Sequence, residues 1–163
     1  MPEIVQEIIK TFGNRLRLRV SGISIIDDKI LLVKHTSIGR NGILYAPPGG
    51  GLSFGESVYQ TLVRELKEET NLTVIPERFL FVNEYLDPPL HAIELFFEIS
   101  IKERVVGKGF DPEMAVDKQI IKEVGYYSME EIKRGDPNDY HAIFRKIVEL
   151  KDLFLLPSLF LEK

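Results

Sequence analysis

Cysteine is absent from the 163 residues, and histidine occurs only at His35, His91 and His141. Without cysteine the chain has no disulfide, no thiolate nucleophile and no cysteine-based zinc site. Three scattered histidines also make a multi-histidine metal site hard to build. The lack of cysteine fits a reducing compartment, so we expect the protein to be cytoplasmic.

Long apolar runs and an excess of basic charge are also missing. No window holds about 18 uninterrupted apolar residues, so the sequence predicts no membrane span. The first ten residues lack the basic-then-apolar pattern of a signal segment. Lys plus Arg is 21 and Asp plus Glu is 25, which gives a net charge of −4. A mildly acidic chain lacks the basic stripe that follows a nucleic-acid backbone, and it is repelled by anionic membranes. We therefore expect neither a nucleic-acid nor a membrane partner.

The composition that remains is that of an ordinary globular protein, with 44% hydrophobic and 28% charged residues. Its length favours a single domain over residues 1–163. Apolar residues at helical spacing predict an N-terminal helix at about 3–11 and a closing C-terminal helix at about 139–154. A short helix is predicted at 129–135. The order of strands and helices predicts an α/β fold, with a mixed β-sheet covered by helices on both faces.

Strands are predicted where apolar and polar residues alternate or where β-branched and aromatic residues cluster. The first two predicted strands are expected to form a hairpin around Asp27 and Asp28. The two longest predicted strands, 73–86 and 91–101, resemble edge strands. Such strands allow pairing across a homodimer, although a monomer fits the pattern equally well. The predicted strands cover residues 15–26, 29–35, 43–46, 73–86, 91–101 and 119–128.

A proline- and glycine-rich segment, APPGGGLSFGES at 46–57, precedes the most informative helix. We expect this segment to be irregular, with a backbone that is free to approach phosphates or to present a carbonyl to a metal. The helix is predicted from about Ser57 to Thr70, with Glu56 capping its free N–H groups. Asn71 ends it, because asparagine tolerates the left-handed conformation of a helix stop.

Three glutamates on this helix share one face. Glu65, Glu68 and Glu69 are neighbours because residues three and four apart lie side by side on a helix. Their repulsion and their position near the helix C-terminus are both unfavourable, and Arg64 and Lys67 do not cancel the cluster. A divalent cation would cancel the negative charge of the cluster. Carboxylates without histidine or cysteine suit Mg²⁺ or Mn²⁺. The alternative is an acidic helix face exposed to solvent.

Residues 50–72 resemble the Nudix box of the Nudix hydrolase family. That box is Gly, five residues, Glu, seven residues, and then Arg-Glu-aliphatic-any-Glu-Glu-any-Gly-aliphatic. Asn71 stands where the family has glycine, and both residues accept the left-handed conformation. The resemblance implies a Nudix-type α/β/α sandwich. The matching residues are Gly50, Glu56, Arg64, Glu65, Leu66, Glu68, Glu69 and Leu72.

The resemblance implies a Mg²⁺-dependent pyrophosphohydrolase that cleaves a phosphoanhydride in a nucleoside diphosphate linked to another group. It implies that Glu65, Glu68 and Glu69 hold the cations and that the Gly49 carbonyl is a further ligand. Such cations neutralise phosphate oxygens and lower the pKa of bound water. Glu65 is the first candidate for the general base, with Glu69 or a downstream loop residue as alternatives. Arg64 cannot lose its proton and is expected to orient a carboxylate.

A further catalytic carboxylate is expected near the last strand. Glu123 resembles the family's glutamate before an aromatic pair, which is Tyr126 and Tyr127 here. Asp117 and Glu113 are the alternatives.

The substrate is expected to contact the backbone of Gly50 and Gly51 and to stack a base on an aromatic ring. Pro88 lies near the position of a proline found in family members that act on ADP-ribose. It favours an ADP-ribose or nucleotide-sugar substrate over a nucleoside triphosphate. A non-catalytic nucleotide or metabolite sensor and a nucleoside triphosphate pyrophosphohydrolase are the alternative functions. Candidates for the stacking ring are Tyr45, Phe54, Tyr85 and Phe12, and candidates for phosphate contact are His35 and His91.

Overall fold

The computed structural model describes residues 2–102, 112–114, 116, 119–157 and 160–161. The alternative catalytic residue Asp117 lies outside them. Within these residues, no helix is long and apolar enough to cross a membrane. The helices and strands are α1 (Glu3–Phe12), β1 (Leu16–Ile23), β2 (Ile25–Ile26), β3 (Lys29–Thr36), β4 (Ile43–Ala46), β5 (Gly49–Gly51), α2 (Val58–Thr70), β6 (Val74–Asp87), β7 (Leu90–Ile101), β8 (Ile121–Ser128), α3 (Met129–Arg134) and β9 (Phe160–Leu161).

The strands form two sheets rather than the single sheet that the sequence predicts. The larger sheet is mixed and has the order β5-β1-β7-β6-β9, with β1 parallel to β7 and β6 antiparallel to β7. In the smaller sheet β3 pairs antiparallel with β8, with β2 at its start and with β4 at its end. Because β7 is paired on both sides along residues 91–98, it is not the edge strand that the dimer hypothesis needs.

The chain crosses between the two sheets at Ser24, so the predicted hairpin of 15–26 with 29–35 is wrong for most of its length. Only Ile25 and Ile26 pair with β3. The Ser24 carbonyl accepts a hydrogen bond from Leu31 N–H in the smaller sheet. Residues 16–23 instead pair with β7, some 75 residues further along the chain.

Helices cover both sides of this sheet pair, which confirms the predicted mixed α/β architecture. On one side, Leu62 and Leu66 of α2 are fully buried against Val20, Leu31 and Phe97. Burial of each large apolar side chain stabilises the fold by about 1.5–3 kcal/mol. On the other side, α3 and the C-terminal segment bury a second cluster, which includes Phe81, Phe96, Ile132, Ile143 and Leu153.

The predicted C-terminal helix at 139–154 is wrong. Ile147 is in extended conformation, so no helix continues through it. The Asp152 carboxylate accepts hydrogen bonds from the N–H groups of Val148 and Glu149, and this local turn competes with helix formation. Ile147 and Leu150 are nevertheless buried, so the apolar spacing that predicted a helix is satisfied by short turns. The 3₁₀ segments are Pro137–Asp139, Ala142–Lys146 and Leu150–Phe154.

The glycine-rich segment is more ordered than the sequence predicts. Gly49–Gly51, expected to be irregular, forms β5 antiparallel to β1. A Cβ atom at position 49 would overlap the carbonyl oxygen of Val20, so only glycine allows the two backbones to approach this closely.

The ends of α2 depend on two other polar residues. Ser57 caps the start by accepting a hydrogen bond from the N–H of Gln60, whose side chain in turn accepts from the N–H of Ser57. Glu56, predicted to be this cap, instead binds Arg64 and the hydroxyl of Thr61. At the other end Asn71 has φ 60°, as predicted for the helix stop.

Candidate active site

A cleft lies between the two sheets, beside the C-terminal half of α2. Strands β1, β3, β4, β5, β6 and β7 provide its walls, and Phe12 of α1 and Ile120 lie on its apolar side. The structure therefore brings the glycine segment and the acidic helix face into one site. The sequence-predicted residues that line the cleft are Phe12, His35, Gly49, Gly50, Glu65, Glu68, Glu69, Tyr85, His91 and Glu113.

Other predicted residues do not line this cleft. Phe54 is fully exposed in the loop before α2. Tyr45 packs into the core instead, where its ring stacks on Tyr140 with 4.9 Å between centroids. Gly51 lies at the rim, where its carbonyl is 3.5 Å from an Arg64 guanidinium nitrogen.

Glu123 also lies away from the acidic cluster. It pairs with Lys34 across β8 and β3, and neither Lys34 nor Glu123 is among the residues that line the cleft. His35 faces the cleft, whereas Glu123 accepts a 2.6 Å hydrogen bond from the Tyr127 hydroxyl. Among the predicted alternatives to Glu123, the described residue Glu113 does reach the cleft.

Glu65 faces the glycine segment from the middle of α2 and is largely buried. A Cβ atom on Gly50 would overlap its carboxylate, so the absence of a side chain at position 50 creates the space it occupies. The side chain is only 12% exposed. Burial and then the nearby Glu69 raise the pKa of Glu65 to about 7, although Arg64 acts in the opposite direction.

Glu69 connects α2 to both sheets. One carboxylate oxygen accepts a 2.8 Å hydrogen bond from the N–H of Gly49 in β5, and the other lies 3.5 Å from His35 Nε2 in β3. The side chain is 9% exposed. These contacts fix the orientation of Glu69 within the cleft.

Arg64 binds three carboxylates at once. Its Nε and one terminal nitrogen donate to the two oxygens of Glu56 at 2.8 and 2.9 Å. The other terminal nitrogen donates to Glu65 at 2.8 Å and to Glu68 at 3.1 Å. Hydrogen bonds from Arg64 and then Thr61 lower the pKa of Glu56 to about 2. This geometry is the one that an orienting role for Arg64 requires.

Comparison with known proteins matches residues 15–148 to the NUDIX domain. The chain belongs to the Nudix family. The family is one of hydrolases that act on phosphorus-containing acid anhydrides, in agreement with the enzyme class that the box predicts.

Among curated relatives, an ADP-ribose pyrophosphatase from Methanocaldococcus jannaschii is 38% identical over 86 residues. The match covers 50% of this chain and 49% of that protein, so the chain spans about half the length of this relative. A solved Nudix hydrolase from Nitrosomonas europaea has a TM-score of 0.63 and 24% identity, covering 81% of this chain and 85% of the other. The MutT protein from Methanosarcina mazei Go1 has a TM-score of 0.64 and 20% identity, covering 87% and 92%. These structures show that the fold is shared.

The Nudix glutamates do not all turn toward one point. In the part of the chain that the structure describes, no three acidic or histidine side chains are gathered into a ready metal cluster. Glu65 and Glu68 share Arg64, while Glu69 is held by Gly49 and His35. The donor chemistry nevertheless fits a hard divalent cation, because the cleft wall offers carboxylate oxygens beside a bare glycine backbone.

Sequence reasoning did not identify several polar residues of this Nudix cleft. Two of them, Arg17 and Arg19, belong to the alternating RLRLR pattern, which indicates a strand with one cationic face. Two others, Glu94 and His141, are buried, and Glu94 stands out as a lone carboxylate in the apolar run IELFF. A single charged residue within such an apolar run is the sequence signal that could have identified Glu94 as a buried polar residue.

Proposed function

We propose that this Nudix domain is a Mg²⁺-dependent pyrophosphohydrolase that cleaves a phosphoanhydride in a nucleoside diphosphate derivative of the ADP-ribose or nucleotide-sugar type. One observation carries the proposal. Glu65 and Glu69 are buried close together in the cleft, against the backbone of Gly49 and Gly50. Burial and Glu69 raise the pKa of Glu65 despite its contact with Arg64, so the repulsion between the two carboxylates is not fully compensated, and this supports a metal-binding role.

In this proposal Glu65, Glu68, Glu69 and the Gly49 carbonyl hold the cation. When bound, a divalent cation neutralises phosphate oxygens and makes a bound water more acidic. Glu65 accepts the proton of the attacking water, and its position against the Gly50 backbone places its carboxylate inside the cleft. Arg64 holds Glu65 and Glu68 in place, and His35 with Gly49 holds Glu69.

The substrate class is supported by the cleft and by one relative. The cleft has an apolar side made by Phe12, Ile38, Leu90 and Ile120, and this side suits the nucleoside or the linked group of a two-part substrate. Phe12 and Tyr85 remain the candidates for ring stacking. The relative that is named an ADP-ribose pyrophosphatase shares 38% identity over half of this chain.

The test is a hydrolysis panel with Mg²⁺ that contains ADP-ribose, nucleotide sugars and nucleoside triphosphates, with release of nucleoside monophosphate as the readout. We expect turnover of ADP-ribose or a nucleotide sugar. Glu65→Gln and Glu69→Gln should each lower turnover by at least about 100-fold, because both remove a cation ligand and Glu65→Gln also removes the base. Glu130→Gln, an exposed acid on α3, is the matched control and should retain full activity.

Each other result identifies a different function. Turnover restricted to nucleoside triphosphates would replace the substrate class while keeping the enzyme class. Tight nucleotide binding without turnover would replace catalysis by sensing. Wild-type turnover that persists in both glutamate variants would exclude the proposed site.

A further inference from the structure

Two guanidinium groups enter the cleft from one face of β1. Arg17 and Arg19 are two residues apart on the strand, so their side chains face the same way, whereas Leu16 and Leu18 face the other way and are exposed. The two arginine side chains are 14% and 26% exposed. The chain thus places two cations in one partly enclosed space.

The two guanidinium groups repel each other in this space. Burial and then the proximity of Arg19 lower the pKa of Arg17 to about 10. The Arg17 guanidinium lies 3.6 Å from the Glu113 carboxylate, and its Cζ lies over the ring of Phe12, 4.5 Å from the centroid. A phosphate oxygen would relieve the repulsion between the two guanidinium groups.

Arg19 has unused hydrogen-bonding capacity. One of its terminal nitrogens donates to the Gly49 carbonyl at 2.9 Å. Its Nε is buried and has no hydrogen-bond partner among the described residues. A guanidinium carries five N–H groups, and a buried donor without an acceptor is unfavourable. The Glu94 carboxylate lies 4.0 Å from this Nε, too far for a hydrogen bond, so the described residues do not saturate the donors of Arg19.

A buried network fixes Arg19 at this position. Glu94 is the partner of Arg19 in the β1–β7 register, and its carboxylate lies 4.0 Å from Arg19 Nε. The other Glu94 oxygen accepts from Asn83 at 3.0 Å and lies 2.7 Å from His141 Nε2. Burial favours the neutral acid, but His141, Arg19 and Asn83 together outweigh it and hold the pKa of Glu94 below its usual value. Glu94 is therefore a charged anchor for Arg19.

From this geometry we infer that Arg17 and Arg19 bind the phosphate oxygens of the substrate's diphosphate, and that Glu94 is the positioning residue for Arg19. The identity of the anion as a diphosphate rests on the proposed function. The location supports it, because Gly49 donates its N–H to Glu69 and its carbonyl accepts from Arg19. One glycine thus joins the arginine pair to the acidic cluster. Planar guanidinium forks are suited to phosphate oxygens.

The test measures binding without metal, so that it does not depend on turnover. Calorimetry in excess EDTA with ADP, and separately with inorganic pyrophosphate, should give measurable affinity for the wild-type protein. Arg17→Gln and Arg19→Gln should each raise the dissociation constant at least about tenfold, because each removes a charged hydrogen bond to phosphate. Arg15→Gln removes the same charge from an exposed position just before β1, outside the cleft, and should change affinity less than about twofold.

A second set of variants separates the planar geometry of the guanidinium group from its charge, and it also tests whether Glu94 positions Arg19. Arg17→Lys and Arg19→Lys keep the charge but lose the fork, and they should fall between wild type and the glutamine variants. Glu94→Gln should weaken ADP binding, and adding it to Arg19→Gln should cause little further loss, whereas its effect should add to that of Arg17→Gln. A Glu94 that only supports the fold would instead add its effect to both. Thermal melts confirm that each variant is folded.

Two results would overturn this inference. One is a wild-type protein that binds neither ADP nor pyrophosphate at millimolar concentration in EDTA. The other is unchanged affinity in both arginine-to-glutamine variants. The hydrolysis panel separates this inference from the proposed function. Failure of the panel with arginine-dependent binding intact removes only the enzymatic proposal. Hydrolysis by the wild-type protein, with affinity and KM unchanged in the arginine variants, would exclude only the role of Arg17 and Arg19 in phosphate binding.

Discussion

At the scale of single residues, the site depends on side chains that are missing as much as on those present. Gly49 allows β5 to approach β1, and Gly50 leaves room for the carboxylate of Glu65. Neither position requires a left-handed backbone, so the reason for glycine here is space and not conformational freedom.

Gly50→Ala is expected to displace the Glu65 carboxylate and to lower turnover at least about tenfold, because small misplacements of catalytic groups have large effects on rate. Gly125→Ala is the matched control. Its Cβ would make only ordinary contact with the ring of Tyr127, at 3.4 Å. Steady-state kinetics and melting temperatures of both variants check the prediction, which is wrong if Gly50→Ala keeps full activity.

Glu65→Gln is expected to stabilise the metal-free protein in a pH-dependent way. The pKa of Glu65 rises from the usual 4.5 to about 7 on folding, so the folded state keeps its proton when the unfolded state has lost it. The wild-type stability contribution is complete below about pH 4.5 and is lost as pH rises to about 7. The variant does not titrate, so its advantage should grow over this interval and reach up to about 3 kcal/mol.

Urea denaturation in EDTA at pH values between 4.5 and 8 measures this difference. The same experiment with Glu130→Gln should show no comparable dependence. If the stability of Glu65→Gln relative to the wild-type protein fell as pH rises, the pKa of Glu65 would not be raised by folding.

At the scale of elements, α2 is defined by its two ends. The Ser57–Gln60 capping box fixes where the helix starts, and Asn71 in the left-handed conformation fixes where it stops. Between these two ends, the helical spacing of four residues places Glu65 and Glu69 on the same face, which faces β5. Asn71 departs from the family pattern, but it adopts the left-handed conformation that glycine also accepts.

Asn71→Gly and Asn71→Ala should separate in stability. Glycine adopts φ near 60° without strain, whereas alanine in this region costs about 1–2 kcal/mol. We expect Asn71→Ala to be less stable than Asn71→Gly by about 1 kcal/mol in urea denaturation. Equal stability of the two variants would contradict the role given to the left-handed stop.

At the scale of the whole molecule, the sequence predicts what is local and misses what depends on distant pairing. Residues 50–72 contain nearly all of the acidic site in one continuous stretch, so spacing alone places Glu65, Glu68 and Glu69 together. The Arg19–Glu94 contact needs β1 to lie parallel to β7, and no local pattern encodes that pairing. The closing helix fails for a local reason, since Asp152 favours a turn that apolar spacing does not reveal.

Mg²⁺ is expected to raise the melting temperature of the whole domain, because a ligand that binds only the folded state stabilises it. At about 100 times the dissociation constant the gain is about 2.7 kcal/mol. Glu69→Gln should reduce the shift strongly, while Arg15→Gln should leave it unchanged. A melting temperature of the wild-type protein that does not respond to Mg²⁺ would contradict the proposed metal site.

The alternation of arginine and leucine along β1 ties ligand recognition to correct assembly. A slip of one residue against β7 would turn Leu16 and Leu18 into the cleft and move Arg17 and Arg19 outside it. Glu94 would then lose the guanidinium that faces it across the two strands, which is destabilising for a buried carboxylate. The contact between Arg19 and Glu94 therefore favours the observed alignment of β1 with β7. Refolding chains should recover ADP affinity in the same kinetic phase in which β1 joins β7.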